Sequence, residues 1–424
     1  MRIAIIGAGR VGTTLGQRFV GASHEVVYAS RRDDAVAPHA GATTARVPEA
    51  VRASDVAVLV TPWNAVEDAL RAAGDFAGRP LIDVTNPVGP GFSLTHAHTT
   101  SGAEHVASLA KNARVVKAFN TTGLENMHEP RFGSRRAYMP VAGDDPEATA
   151  VALKLASDIG FDAVALDGIV RARELEPLAL LWIRLAIQLG HGRGFALALG
   201  RRDDAGAAEP PRKGARAKRI TIVGGGNIGG ALGRAWLTSG HRVRVTARDT
   251  TSEEARAFAA AGAEVVPVEG AARGAEIVVL SPPYRAVAEA LPRLELSPGM
   301  IVVDATNAIG KGFTLEHGGS TSSAEQLQAL APEVRVVRAF HQQGAEVLER
   351  PAFGDLRAAS FVASDDAEAR AVVRELSEEV GLEGIDAGPL SMARCLEPMT
   401  LHWIALSRKL GTREIGLAVV RRAV

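Results

Sequence analysis

The second half of the chain repeats the first half, and this repeat limits what the chain can fold into. The matching segments occur in the same order: residues 7–12 (GAGRVG) match 224–229 (GGGNIG), 83–86 (DVTN) match 304–307 (DATN), 115–119 (VVKAF) match 336–340 (VVRAF), and 175–177 (LEP) match 396–398 (LEP). An ordered repeat of this length predicts that one fold occurs twice.

With 424 residues the chain is long enough for two domains, each able to bury a core without metals or disulfides. We expect copy one over residues 1–200 and copy two over residues 219–424. Residues 201–218 between them are rich in Ala, Gly, Pro and charge, and they have no apolar period. That composition predicts an exposed linker.

The balance of positive and negative side chains indicates which kinds of partner the chain binds. Lys plus Arg and Asp plus Glu each number 48, so we expect small-molecule partners rather than nucleic acid or an anionic membrane. The one cysteine, Cys395, cannot form an intramolecular disulfide and fits a reducing compartment. The start of the chain does not resemble a secretory signal, and the later apolar stretches fall short of the roughly 20 residues that span a bilayer. We therefore expect a cytoplasmic protein.

Short β-branched runs alternate with helical patterns in each copy, which is typical of a parallel sheet covered by helices. In copy one the runs lie near residues 3–6, 25–29, 56–60, 81–83 and 114–118. Amphipathic helices from about Arg171 and about Met392 would form a small cap in each copy. The fold class we predict is α/β, with two tandem Rossmann-like, doubly wound parallel-sheet domains and a C-terminal helical cap on each.

A glycine-rich loop follows the first strand of each copy and precedes a helix, the context that a dinucleotide-binding loop requires. Its first glycine permits the tight turn, the second lets backbone amides approach a pyrophosphate, and the third lets helix and strand pack closely. The alternative is a tight turn without a ligand. The predicted phosphate-binding residues are Gly7, Gly9, Arg10, Val11 and Gly12 in copy one and Gly224, Gly226, Asn227, Ile228 and Gly229 in copy two.

The residues after the second strand indicate which nucleotide binds. An NAD site places Asp or Glu there, about 20 residues beyond the loop. Copy one instead has Ser30, Arg31 and Arg32, whose hydroxyl and guanidinium groups suit a ribose 2′-phosphate, so we predict NADP. An exposed charged turn is the alternative. Copy two keeps Arg248 but follows it with Asp249, which leaves its nucleotide open.

Together with residues 83–87 (DVTNP), 116–121 (VKAFNT) and 175–177 (LEP), these motifs resemble the NADPH:coenzyme F-420 oxidoreductase family, which is itself similar to the cytosolic domain of STEAP-type metalloreductases. The resemblance covers nearly all of copy one and, less tightly, copy two. It implies a Rossmann domain that binds NADP beside a cleft for coenzyme F-420 or another flavin-like acceptor. It also implies that single-copy relatives pair through their caps, so that the two copies here would form a pseudo-dimer within one chain.

Carried over by position, the resemblance implies nicotinamide-side walls at Thr61, Pro62, Asn86, Pro87, Phe119 and Asn120, with Ser281 and Asn307 as counterparts in copy two. Hydride exchange between two cofactor rings needs no acid/base pair. Reduction of an imine, carbonyl or unsaturated substrate would need a proton donor. The candidates for that role in copy one are His96, His98, His105 and Asn120.

Copy two departs from copy one on the acceptor side. Asn120 becomes His341, which is either a proton donor for a different substrate or a polar plug in a disused site. Lys117 and Arg338 occupy matching strand positions and either reach a phosphate or carboxylate or extend to solvent. Glu176 and Glu397 would orient the cap. We predict no metal site, because His96 and His98 lack a third ligand at useful spacing.

Three functions remain open. The first is an NADP(H)-dependent oxidoreductase that exchanges hydride with coenzyme F-420 or a flavin-like acceptor. The second is an NADPH-dependent reductase of a small imine, carbonyl or unsaturated substrate. The third is a non-catalytic NADP-binding sensor or scaffold in which copy two is degenerate.

Overall fold

The computed structural model describes residues 1–204, 206, 214 and 216–422. Half of the predicted linker, residues 205, 207–213 and 215, lies outside this part of the chain. The chain divides into two compact units. Unit 1 contains Met1–Leu199 with the residues from Val420 onward, and unit 2 contains Gly200–Val419.

Unit 1 is built on one eight-stranded sheet. Its strands are β1 (Arg2–Ile6), β2 (Glu25–Ser30), β3 (Ala42–Arg46), β4 (Val56–Leu59), β5 (Pro80–Asp83), β6 (Arg114–Lys117), β7 (Tyr138–Gly143) and β8 (Asp162–Asp167). They lie in the order β8-β7-β6-β5-β4-β1-β2-β3. Neighbouring strands are parallel except β6 and β7, which pair antiparallel. The sequence analysis did not predict β3, β7 or β8.

Helices cover both faces of this sheet, and the central strands are buried on both sides. The helices are α1 (Arg10–Gly21), α2 (Val47–Arg52), α3 (Val66–Ala73), α4 (Gly102–Leu109), α5 (Leu124–His128), α6 (Pro146–Asp158) and α7 (Ala172–Ile183). The predicted cap of copy one is α7, continued by a π-helical turn at Arg184–Gln188 and then by strand β9 (Phe195–Arg201).

Unit 2 repeats this arrangement with a shorter continuous sheet. Six parallel strands lie in the order β12-β11-β10-β13-β14-β15. Their bounds are β10 (Arg219–Val223), β11 (Arg242–Thr246), β12 (Glu264–Val266), β13 (Ile277–Leu280), β14 (Ile301–Asp304) and β15 (Arg335–Arg338). A parallel pair, β16 (Ala359–Val362) and β17 (Glu383–Asp386), takes the place of β7 and β8. One antiparallel bridge between Arg338 and Ala363 connects this pair to the sheet.

The helices of unit 2 repeat the order of those of unit 1 except for the second, which lies before β12, whereas α2 follows β3. They are α8 (Asn227–Thr238), α9 (Glu253–Ala260), α10 (Val287–Leu294), α11 (Ser323–Leu330), α12 (Ala345–Glu349), α13 (Ala367–Val380), α14 (Ala393–Leu396) and α15 (Pro398–Leu410), and strand β18 (Ile415–Arg421) follows them. The cap helix α15 is regular over its whole length, without the π-helical turn of unit 1. Each unit is therefore a Rossmann-like α/β domain with a helical cap, as the repeat predicts.

The strand order places the predicted site residues of unit 1 at one edge. The chain leaves β1 for β2 on one side, and β4 lies on the other side, so the order reverses beside β1. Ligands of open α/β sheets bind outside the carboxyl ends of strands at such a switch point. The glycine loop, the residues after β2, and those after β4 and β5 all lie at this edge.

Candidate functional site

The chain's own packing requires the first and third glycines of the loop in unit 1. Gly7 has φ +122°, and a Cβ there would lie 2.4 Å from the carbonyl oxygen of Val60. A Cβ on Gly12 would lie 2.0 Å from the carbonyl oxygen of Gly7. Any side chain at either position would therefore push the loop away from β4 or α1 away from the loop.

Packing within the chain does not require a glycine at the second position of the loop. Gly9 has φ −73°, which any residue can adopt, and a Cβ there would meet no atom within 4 Å. It is the last residue before α1, and no described side chain caps that helix start. Arg10 is exposed and Val11 half-buried beside it. Open space at an uncapped helix N-terminus is where backbone N–H groups can receive a phosphate.

The loop of unit 2 has the same geometry. Gly224 has φ +95°, and its Cβ would lie 2.8 Å from the nitrogen of Pro282, while a Cβ on Gly229 would lie 2.1 Å from the Gly224 carbonyl oxygen. Gly226, before α8, again has open space around it, and no described side chain caps the helix. Asn227 is exposed and Ile228 half-buried. Both copies thus retain a loop shaped for a phosphate.

Several charged side chains lie close together at the end of β2. Ser30 Oγ accepts a hydrogen bond from the Arg32 backbone at 3.0 Å, and the Arg32 guanidinium donates to both carboxylate oxygens of Asp34 at 2.9 and 2.8 Å. Arg31 is exposed, and its carbonyl oxygen accepts from Arg46. Arg46, which was not predicted from the sequence, ends β3 directly beside Ser30.

The equivalent turn in unit 2 is organised around an acid. Arg248 is exposed, and Asp249 accepts hydrogen bonds from the backbone N–H and hydroxyl of Thr251 at 2.8 and 2.6 Å. These hydrogen bonds hold the pKa of the Asp249 carboxyl below its usual value. A fixed negative charge beside the single arginine makes this turn less suited to a phosphate than its counterpart in unit 1.

The hydroxyls after β4 and β13 differ between the copies. Thr61 Oγ1 is buried and has no hydrogen-bond partner among the described residues, and Pro62 next to it is exposed. Ser281, predicted as the counterpart of Thr61, instead matches Val60 by strand register, and its Oγ donates to the carbonyl oxygen of Gly224 at 2.7 Å. The residue that matches Thr61 is Pro282, so unit 2 has no hydroxyl at this position, whereas unit 1 has a buried one.

Asn86 and Asn120 are joined by two hydrogen bonds. Asn120 Nδ2 donates to Asn86 Oδ1 at 3.1 Å and to the Leu175 carbonyl at 3.3 Å, and Asn86 Nδ2 donates to the Asn120 carbonyl at 3.0 Å. Both amide protons of Asn120 are therefore committed, while its Oδ1 is buried without a partner among the described residues. Pro87 lies beside this pair, buried against the first residue of α4, Gly102.

In unit 2, His341 occupies the position of Asn120 and has different hydrogen-bond partners. Asn307 Nδ2 donates to the His341 carbonyl at 3.3 Å, and the Thr400 hydroxyl lies 2.8 Å from both Asn307 Oδ1 and that carbonyl. The His341 ring is fully buried, and neither ring nitrogen makes a hydrogen bond of regular geometry to a described residue. Burial, together with the positive charge of Arg338, lowers the pKa of His341 well below its usual value, so the ring is neutral.

Lys117 reaches carboxylates rather than solvent. Its Nζ lies 3.0 Å from Asp83 Oδ2 and 2.9 Å from Glu176 Oε1, and all three side chains are buried. Burial alone would lower the pKa of Lys117, but the two carboxylates outweigh it and raise the pKa. In unit 2, Arg338 Nη1 lies 2.5 Å from Asp304 Oδ2 in the same place. The alternative of a charge extending to solvent was wrong for both residues.

Glu176 and Glu397 connect each cap to the sheet domain. Glu176 accepts hydrogen bonds from the backbone N–H groups of Gly102 and Ala103, which begin α4, at 2.8 and 3.0 Å. Glu397 accepts from Ser323 and Ala324 at the start of α11, at 3.1 and 3.3 Å. These glutamates position the cap, as their place in the sequence predicted.

The histidines of unit 1 do not group as a metal site. His96 and His105 have ring centroids 4.8 Å apart, and both rings lie against Trp63. His98 lies in the loop beyond His96, in a left-handed conformation with φ +66°. Among the described residues there is no group of three or more His, Cys, Asp or Glu side chains that could hold a metal ion.

None of the described helices is long and apolar enough to cross a membrane.

Comparisons with known proteins match both copies. The family model described as NADP oxidoreductase, coenzyme F-420-dependent, matches residues 2–87 and 219–308. The F-420-dependent NADP reductase of Methanocaldococcus jannaschii is 31% identical over 169 residues, which cover 37% of this chain and 74% of that protein. The chain belongs to the coenzyme F-420-dependent NADP oxidoreductase family.

Relatives of this F-420-dependent family are also similar to the chain. Metalloreductase STEAP3 of Rattus norvegicus is 31% identical over 186 residues, which are 42% of this chain and 37% of that protein. The chain therefore spans well under half the length of this metalloreductase. Among solved structures, a putative F-420-dependent NADP reductase of Arthrobacter sp. is 28% identical with a TM-score of 0.43, over 47% of this chain and 97% of that one.

The matched segments contain most of the features described above. In each copy they run from the first strand through the glycine loop and the turn after the second strand to the residues after the fifth strand. The family is one of NADP-dependent oxidoreductases, so the match agrees with the nucleotide predicted from Arg31 and Arg32. The cap, Asn120 and His341 lie outside the matched segments.

Proposed function

We propose that copy one binds NADP(H) and exchanges hydride with a deazaflavin, coenzyme F-420, or with a flavin-like acceptor. The observation that carries this proposal is the pairing of an open, uncapped helix start at Gly9 with the arginine-rich turn after β2. The first feature suits a pyrophosphate and the second a ribose 2′-phosphate. Membership in the F-420-dependent family supports the choice of acceptor.

Different residues of copy one would bind different parts of the nucleotide. The backbone at Gly9 and Arg10 would receive the pyrophosphate at the start of α1, and Ser30, Arg31 and Arg32 would hold the 2′-phosphate. Arg46 would add a third cation beside them. A charge-assisted hydrogen bond contributes about 1.5–3 kcal/mol, so one well-placed arginine can give roughly 10- to 100-fold preference for NADPH over NADH.

Thr61, Pro62, Asn86 and Pro87 would form the nicotinamide side of the site. When bound, the nicotinamide itself supplies the hydride chemistry. The residues around it need only hold the two rings in contact and keep water out. The Asn86–Asn120 pair fits this positioning role, because the amide protons of Asn120 already bond to Asn86 and Leu175.

For copy two we propose a diverged role. His341 is buried, neutral and enclosed by Asn307 and Thr400, which supports the polar plug over the proton donor. A second candidate function rests on Tyr284, whose hydroxyl lies 2.8 Å from His317 Nε2 after strand β13. Such a pair can donate a proton to an imine or carbonyl, and its presence favours substrate reduction in copy two.

The test uses the full chain, purified and mixed with NADPH and oxidised coenzyme F-420. Bleaching of the visible absorbance of coenzyme F-420, with NADPH and much less with NADH, is the expected result. Flavin mononucleotide is the second acceptor. If neither is reduced and a panel of cyclic imines and ketones is, the second candidate replaces the first. Tight NADPH binding without oxidation by any acceptor would favour the non-catalytic scaffold.

Calorimetry separates the two nucleotide sites. Arg31→Ala combined with Arg32→Ala should abolish the preference of copy one for NADPH over NADH, and Arg248→Ala is the matched change in copy two. Equal losses at two sites would show that the copies have not diverged. We also propose that the protein is cytoplasmic. We further propose that its two copies pair as a pseudo-dimer within one chain. Cross-links between the caps of one chain, in a monomer by sedimentation, would support the pairing.

A further inference from the structure

Three ring-bearing side chains of unit 1 meet on the nicotinamide side of the sheet. Trp63 follows β4 directly after Thr61 and Pro62, His96 lies in the loop after β5, and His105 lies on α4. We refer to Trp63, His96 and His105 as the Trp63 cluster. Because strands β4 and β5 lie on the far side of β1 from the arginine-rich turn, this cluster is on the side opposite the 2′-phosphate residues.

The cluster is a packed group rather than three separate rings. The centroid of the Trp63 ring lies 5.1 Å from that of His96 and 5.8 Å from that of His105, and the two histidine rings are 4.8 Å apart with an angle of 36° between them. All three residues are only partly buried, so ring surface remains accessible. The other three tryptophans, at positions 182, 236 and 403, are buried.

Polar contacts keep the histidines in place. His96 Nδ1 lies 3.1 Å from the Thr95 hydroxyl, and His105 Nε2 lies 3.6 Å from a carboxylate oxygen of Glu67 on α3. Burial, with a smaller contribution from His105, lowers the pKa of His96. A neutral His96 ring beside an indole presents an aromatic surface instead of a charge.

The matching position in unit 2 has lost this surface. Tyr284 replaces Trp63, and its hydroxyl hydrogen-bonds to His317, the counterpart of His96. Gln326 replaces His105, and its amide donates to Thr321 at 3.0 Å. Unit 2 therefore has two rings that satisfy each other, where unit 1 has three rings with no hydrogen bond among them in the described residues.

We propose that the Trp63 cluster is the wall on which a planar heteroaromatic acceptor, such as a deazaflavin or flavin ring, lies in copy one. This inference rests on the proposed function. Aromatic rings prefer offset-stacked or edge-to-face contacts at such centroid separations, and the indole supplies the largest surface. The acceptor ring would lie between this wall and the nicotinamide side formed by Thr61 and Asn86. Copy two has no equivalent wall.

The experiment measures steady-state kinetics and binding on the full chain. Trp63→Leu and His96→Gln are compared with wild type and with Gln326→Ala, a change in copy two at the position that matches His105. Binding is measured by calorimetry with oxidised coenzyme F-420 in the presence of saturating NADP⁺, so that no turnover occurs. Trp63→Leu should raise the Kd and the KM for coenzyme F-420 by about 2- to 10-fold. The Kd for NADPH should not change.

Tryptophan fluorescence supplies an independent readout. Because the other three tryptophans are buried, coenzyme F-420 should quench wild-type emission, and Trp63→Phe should lose most of that quenching. His96→Gln should raise the KM without changing the melting temperature, which separates binding from folding. Gln326→Ala should match wild type in every measurement.

If wild type reduces coenzyme F-420 and the Trp63→Leu variant has the same KM for it, the Trp63 cluster is not the acceptor wall. The proposed function would stand in that case. An equal effect of Gln326→Ala would overturn the assignment to copy one. If wild type binds NADPH but reduces neither coenzyme F-420 nor a flavin, the proposed function fails first, and the wall fails with it.

Discussion

Lys117 and Asp83 form a fully buried ion pair, with Nζ 3.0 Å from Oδ2, at the carboxyl ends of two neighbouring strands. Removing one partner of such a pair leaves a charge buried without compensation, which costs about 3–5 kcal/mol. We expect Lys117→Met to lower the free energy of unfolding of unit 1 by about that amount, measured in urea.

The second copy supplies the control for this prediction. Arg338 occupies the equivalent place beside Asp304, so Lys117→Arg keeps the charge that copy two already accommodates. It should cost less than half as much as Lys117→Met. Equal stability of Lys117→Met and wild type would show that the pair contributes nothing.

The Gly9→Ala variant should fold normally and bind NADPH poorly. A Cβ there meets no protein atom within 4 Å, so no contact in the chain is strained. The methyl group would instead occupy the space through which a pyrophosphate approaches the start of α1, and we expect the Kd for NADPH to rise at least about 10-fold. The measurements are thermal unfolding and calorimetry.

Gly21→Ala is the matched control, since it lies at the other end of α1 and also has open space around it. It should leave both the melting temperature and the affinity unchanged. Normal NADPH binding by Gly9→Ala would mean that the phosphate does not approach this helix start.

Asp34→Asn should strengthen NADPH binding by a few-fold and leave NADH binding unchanged. Asp34 accepts hydrogen bonds from Nε and Nη2 of Arg32, and it is a negative charge beside the proposed 2′-phosphate site. Neutralising it frees the arginine and removes the repulsion. Competition binding with the two nucleotides measures the ratio. Asp68→Asn, which changes a comparable exposed pair with Arg71, should have no effect.

Glu174 should make unit 1 less stable as the pH rises. Burial raises its pKa to about 8, against the opposing charges of Arg171 and Arg173. The unfolded chain loses this proton near pH 4.3, so between about pH 4.5 and 8 the folded state holds a proton that the unfolded state has lost. The unfolding free energy therefore falls across that window.

Glu174→Gln cannot titrate, and copy two has the neutral Cys395 at the matching position. From pH 5 to pH 8, the stability of this variant relative to wild type should grow by on the order of 2–4 kcal/mol. Unfolding curves at both pH values measure it. Parallel pH dependence in the two proteins would contradict the raised pKa.

The sequence was sufficient for the parts of the fold that repeat a strong local pattern. The runs that became β1, β2, β4, β5 and β6 are apolar and β-branched, and each was predicted to within about two residues. Strand β7 was missed because Pro140 lies in its middle, and a proline argues against a strand. It is tolerated here in a strand that runs antiparallel to β6 and parallel to β8.

The site was predictable where one short segment determines it. The glycine loop and residues 30–32 are such segments, since a turn and its neighbouring charges are local. Arg46 and the Trp63 cluster were missed because tertiary contacts create them. Arg46 reaches Ser30 through strand pairing, and His105 joins His96 across a loop and a helix turn. No spacing within the sequence indicates these contacts.

Glu176 has a consequence for where a phosphate can settle. The helices of unit 1 that begin at this edge of the sheet include α1, after the glycine loop, and α4, after the fifth strand. The cap supplies its own anion to α4, since the Glu176 carboxylate already occupies the N–H groups of Gly102 and Ala103. We expect this built-in anion to keep a diphosphate away from the start of α4 and to leave the start of α1 open to it.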